Sequence, residues 1–218
     1  MKKLFASVLA VVGISANAQP KPEMVDTNSI LYSMPTISGG SIEFVVPTKE
    51  SFEGAPEFHE DEWCQLEFFP KSLLKTIQSK LTEYKSFEQK NRVSSGWKSI
   101  YVRNIRRGEF ALTIKELSAV EGATLLPAPL LTTASRSLGQ VKNGFSVSIG
   151  EGALLYGIAE DGVIKSLAAS VYSDAGNNAL TNAYIFLNKQ EELLIVDWRG
   201  QMIIMDSSLS SKLEVWRP

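Results

Sequence analysis

The single histidine of the chain, His59, stands in the run His59-Glu60-Asp61-Glu62, beside Trp63 and close to the single cysteine, Cys64. Catalytic zinc takes three protein ligands with histidine prominent, and here only carboxylates are present to join His59, so no metal site is expected. Nucleophilic catalysis meets the same scarcity, because any Ser-His or Cys-His pair would have to use His59. No Gly-x-Ser-x-Gly element supports the first pair. For the second, Cys64 alternates with Leu66 and Phe68, which predicts a strand face shared with apolar residues and turned away from the acidic run.

Other patterns are equally sparse. Ser72-Leu73-Leu74-Lys75 fits the acyl-transfer spacing Ser-x-x-Lys, but Ser95-Gly96-Trp97-Lys98 fits it as well and Lys-Thr-Gly is absent. Asp174, Asn177 and Asn178 lack the Asp-x-Asp-x-Asp-Gly spacing of a calcium loop. Arg103, Arg106 and Arg107 form the densest basic cluster without a glycine-rich phosphate loop, and read as a solvated turn. A carboxylate pair for glycan hydrolysis is defined by a spatial separation of roughly 5 to 9.5 Å, which sequence does not specify among 24 acidic residues. No catalytic residue and no cofactor is therefore assigned.

Charge is more informative. The net value of −2 is too small to suggest a nucleic-acid or membrane-surface partner, yet its distribution is uneven. Glu43 to Glu67 holds eight acidic residues and one lysine, whereas Lys71 to Arg107 holds ten basic and two acidic residues. Either the two segments lie side by side and neutralise each other through solvated pairs, or the molecule carries a dipole that steers a charged partner.

The first 18 residues read as a cleavable export signal. Lys2 and Lys3 precede an apolar run from Leu4 to Ile14, and Ala16-Asn17-Ala18 offers a small-x-small cleavage site before Gln19. The run is too short to span a bilayer, which takes about 20 apolar residues, and no later stretch approaches that length. No cysteine stands at position 19 to carry a lipid. The expected address is the periplasm, with no membrane attachment after cleavage. One cysteine excludes an intramolecular disulfide, so in that oxidising compartment a hydrophobic core must hold the fold unaided. A hydrophobic content of 44% is sufficient for a domain of this size, which buries roughly 70% of its unfolded surface.

These residues need elements to position them. Pro-rich 19–36 reads as an extended leader, Ser41–Val46 as a strand, Lys49–Glu62 as a surface loop around Gly54 and Pro56, and Trp63–Phe69 as a strand. Pro70 opens an amphipathic helix over about 71–90, in which Leu73, Leu74, Ile77, Leu81 and Tyr84 recur at helical spacing opposite lysines. Trp97–Ile105 and Glu109–Leu117 read as strands around the turn Arg106-Arg107-Gly108. Residues 121–140, with Pro127 and Pro129, read as a connection between an N-terminal α+β subdomain at 19–120 and an antiparallel β subdomain at 141–218.

In that second part, Asn143-Gly144 precedes a strand at Phe145–Ile149, Asp161-Gly162 turns between Ala153–Ala159 and Val163–Tyr172, and Arg199-Gly200 turns between Leu193–Trp198 and Met202–Met205. Asp174–Asn178 reads as a polar loop, Ala183–Leu187 as a further strand and Leu213–Trp216 as the last. Consecutive apolar residues in the late strands predict a sheet buried on both faces. One helix covers one face; the other requires a second layer, a homodimer or a partner. The fold class is α+β, mainly an antiparallel sheet formed as a C-terminal meander with one principal amphipathic helix.

The function these features favour is that of a periplasmic, non-catalytic protein that binds another protein, of the inhibitor or immunity type that neutralises a toxin or hydrolase. Glu57, His59, Glu60, Asp61 and Glu62 are the expected partner-binding residues, since loops on a rigid scaffold commonly carry binding. An accessory subunit of a cell-envelope assembly and a carboxylate-dependent cell-wall or glycan hydrolase are the alternatives.

Overall fold

Alternation of apolar residues along the strands determines how the layers stack in the computed structural model, which describes residues 31–106, 110–133, 136–206 and 213–218. The export signal at 1–18 and the pair Arg107-Gly108 of the expected hairpin turn lie outside the described residues.

Along the chain, β1 (Thr36–Ser38) and β2 (Phe44–Val45) precede a short helix α1 (Lys49–Phe52), and β3 (Glu57–His59) leads through a 3-10 turn at Glu60–Glu62 to β4 (Leu66–Pro70). Helix α2 (Leu74–Asn91), preceded by one 3-10 turn at Lys71–Leu73, is followed by β5 (Arg92–Val93), β6 (Gly96–Trp97) and β7 (Tyr101–Arg103). Then come α3 (Ile114–Ser118), β8 (Thr124–Leu126), β9 (Leu130–Thr132) and β10 (Ser137–Val141). The remainder runs β11 (Gly144–Ser148), β12 (Ala153–Glu160), β13 (Val163–Val171), α4 (Asp174–Asn188), β14 (Leu193–Asp197), β15 (Met202–Asp206) and β16 (Leu213–Trp216).

Eight strands form one sheet in the order β16-β15-β14-β4-β13-β12-β11-β8, and all neighbours are antiparallel. The class is α+β with a large antiparallel sheet. β4 sits between β13 and β14, so strands from before residue 120 and after residue 140 share this sheet. A smaller sheet has the order β2-β10-β9-β3, with β3 parallel to β9. β1 pairs in parallel with β7 beside it.

The expected turn at Asp161-Gly162 is present, both residues having positive φ, of 50° and 79°. Gly157 marks the bulge in β12: a Cβ there would lie 1.9 Å from the Ser166 carbonyl oxygen, and the register shifts at the next step, between Ile158 and Ala159.

Successive strand residues face opposite sides of the large sheet. Phe68, Leu155, Leu193 and Ile195 pack with Leu180, Ala183, Tyr184 and Leu187 of α4. Phe69, Leu194, Val196 and Ile203 face the other way, against Ile77, Leu81 and Tyr84 of α2. On that same side, Leu154, Tyr156 and Ala168 pack on Phe58, Leu131 and Val141 from the smaller sheet. Both faces are thus covered within the chain, and the second cover is α4.

Helix α4 corrects the reading of Asp174–Asn178 as a loop and Ala183–Leu187 as a strand. Ser173 caps it, accepting a hydrogen bond from the Gly176 amide at 3.0 Å, and Leu180, Ala183, Tyr184 and Leu187 recur at helical spacing. The strand expected over Glu109–Leu117 is likewise corrected. Thr113 and Glu116 form a capping box that starts α3 at Ile114. The signature Thr-x-x-Glu stands in the sequence and outweighs the apolar alternation around it.

Candidate partner-binding turn

The acidic run is more ordered than a surface loop. Thr48 and Ser51 close a capping box that begins α1, and the backbone of Glu57–His59 pairs with Leu130–Thr132. Glu60–Glu62 then make one 3-10 turn, closed by the Trp63 amide donating to the Glu60 carbonyl at 3.4 Å. All five residues expected to meet a partner fall within this strand and turn. Glu57, Glu60 and Glu62 are exposed, while His59 and Asp61 are half-buried and hydrogen-bonded to each other through Nδ1 and Oδ1.

The base of the turn is fastened from below. Trp63 is buried, with its ring 5.0 Å from that of Tyr156, and Phe58 stacks on Tyr156 at 4.4 Å. Trp63 therefore anchors the turn, as an aromatic residue placed directly after a charged run can.

Cys64 comes next, with φ of 55°, a left-handed conformation that ends the turn before β4 begins at Leu66. This overturns the expected alternation. Cys64 packs with Tyr156 and Trp63, whereas Leu66 and Phe68 pack on the opposite side of the sheet. The Cys64 amide donates to the Tyr156 hydroxyl at 3.0 Å, and burial pushes that hydroxyl well above the usual tyrosine range.

The residue that sequence reasoning misplaced is Arg103. Expected in a solvated basic turn, it is 3% exposed. Its guanidinium donates to the carbonyls of Trp63 and Cys64 at 3.3 and 3.0 Å, to Gln65 Oε1 at 3.2 Å and to Thr36 Oγ1 at 3.2 Å. It also lies 5.1 Å from the centre of the Trp198 ring. Gln65 completes the fastening by donating to the carbonyls of Asp61 and Thr36 at 2.5 and 2.9 Å. In Tyr101-Val102-Arg103 the outer two residues are buried and the middle one exposed, the period of a strand, so Arg103 shares the inward face with Tyr101.

The acidic and basic segments thus meet at Arg103, beneath the turn. Elsewhere Glu43 pairs with Lys142 at 2.6 Å, Lys71 with Glu192 at 2.9 Å, and Glu62 only loosely with Arg199 at 4.0 Å. Hydrogen bonding to Lys142 holds the Glu43 carboxyl below the ordinary range.

The turn separates two clefts. On one side lies a space of about 420 Å³ bordered by Glu60, Asp61, Trp63 and apolar side chains. On the other lies a more polar space of about 710 Å³, bordered by Glu57, Glu62, Tyr172, Asp197 and Arg199. Among the described residues, no group of three or more His, Cys, Asp or Glu side chains is arranged to hold a metal ion, and no helix is long and apolar enough to cross a membrane. The arrangement holds the exposed carboxylates of Glu57, Glu60 and Glu62 on a buried base. No family model, curated protein or solved structure matches the chain.

Proposed function

We propose that the protein is exported to the periplasm and acts without catalysis, binding a basic surface of a protein partner, a toxin or hydrolase that it neutralises, through Glu57, His59, Glu60, Asp61 and Glu62. The observation that carries this reading is the contrast between the two ends of the turn. The carboxylates of Glu57, Glu60 and Glu62 are exposed and close in sequence, where they repel one another, while its base is held by Trp63, Gln65 and Arg103. Such repulsion costs stability in the isolated chain and is relieved by an opposing positive surface. The pattern at residues 1–18 supports the address.

The test is affinity capture from the native host with the processed protein, whose intact mass should begin at Gln19, followed by association kinetics of the captured partner. Reversing Glu60 and Glu62 to Lys together should slow association and remove its salt dependence while the melting temperature stays nearly unchanged, because exposed rim charges act mainly on the on-rate. Unaltered association at low ionic strength overturns the assignment of the turn.

A further inference from the structure

The smaller cleft has a composition of its own. It lies between the segment leading to β1, the smaller sheet and the 3-10 turn, and encloses about 420 Å³, within the roughly 300 to 1,000 Å³ of small-molecule sites. Its walls are mostly apolar, with Met34, Ile37, Ile42, Leu131 and Leu138 around the Trp63 side chain. Glu60 and Asp61 are its only charged side chains among the described residues, and both are acidic. The Asp61 carboxylate is hydrogen-bonded to His59, and its carbonyl accepts from Gln65.

We infer that this cleft binds a small organic ammonium ion with an apolar body, the body against Leu131, Leu138 and Trp63 and the ammonium between the carboxylates of Glu60 and Asp61. A carboxylate ligand would bring like charge against both residues. A neutral ligand would leave Glu60 to solvent and Asp61 to its hydrogen bond with His59. An ammonium brings opposite charge to both. The inference shares Glu60 and Asp61 with the protein-partner reading but does not require it, since it concerns the chain alone and survives if no partner protein exists.

Three probes of one shape test it on the full chain: 4-phenylbutylammonium, 4-phenylbutan-1-ol and 4-phenylbutanoate, followed by amide and indole N–H chemical shifts. The ammonium should bind about tenfold more tightly than the alcohol, the carboxylate should bind weakest, and the shifts should centre on the Trp63 indole. Glu60→Gln should lower the ammonium's affinity about threefold and leave the alcohol's unchanged. Leu138→Trp, which fills the cleft, should abolish binding of all three. If that variant does not fold, Ile42→Trp at the half-buried rim serves the same purpose. Equal affinities for the three probes, shifts centred away from Trp63, or no binding of the ammonium would each overturn the inference.

Discussion

Tyr156 joins the strand that carries it to the turn that presents the carboxylates. Its ring touches both Phe58 and Trp63, and its hydroxyl accepts the Cys64 amide at the left-handed residue ending the turn. Because that amide is buried, deleting the hydroxyl leaves a donor without a partner, which costs about 1 to 3 kcal/mol. Tyr156→Phe should therefore lower the denaturant midpoint by an equivalent amount while the stacked rings keep the fold. A loss below about 0.3 kcal/mol would show that the amide finds another acceptor. The same site explains why Cys64 was hard to place. Alternation is a property of extended residues, and a single residue at positive φ resets the face on which the next strand's side chains lie.

At the scale of elements, the large sheet is held between α2 and α4, and each helix buries a stripe against alternate residues of the same strands. Ile203, on β15, is fully buried under α2, and Leu187, at the end of α4, is fully buried on the opposite face. Ile203→Ala and Leu187→Ala should each destabilise the protein by about 2 to 5 kcal/mol, read by chemical denaturation. If α4 covered the sheet only loosely, Leu187→Ala would cost under about 1 kcal/mol, and the second face would need cover from outside the chain. Helix α4 also shows how a cap is disguised. Asp174 to Asn178 is polar because it is an N-terminal turn directly after Ser173, and polar residues concentrate at helix starts as they do in loops.

Over the whole molecule, burial of tyrosine sets an upper limit in pH. Burial pushes Tyr84 and Tyr101 up to about 12 from the ordinary 10, with Glu88 and Glu83 adding to the respective shifts. In the unfolded chain both ionise near pH 10. A group whose folded value is raised stabilises the fold fully below the unfolded value and loses that contribution as the pH climbs through the folded one. Stability should thus be level near pH 8 to 9 and fall between about 10 and 12, with tyrosinate absorbance rising late for these residues. Stability that stayed constant to pH 12 would contradict their burial. The carboxylates of the turn, by contrast, are exposed at Glu57, Glu60 and Glu62, so their repulsion acts through solvent and weakens with added salt.

Local order made several features legible from sequence: the amphipathic helix from Pro70, the hairpin turn at Asp161-Gly162, the late strands Leu193–Trp198 and Met202–Met205, and the need for cover on both sheet faces. The acidic run was legible only as a loop; its pairing with Leu130–Thr132 and its 3-10 turn were not. Each of the legible features rests on periodicity or turn chemistry within about a dozen residues. What only the tertiary structure decided depends on pairs far apart in the chain. β4 enters the sheet between β13 and β14, Arg103 reaches the carbonyls of Trp63 and Cys64, and an apolar run at Tyr184–Leu187 becomes helix because its stripe meets Phe68 and Leu193. A short apolar run satisfies both the strand and the helix period, and the partner that buries it selects between them.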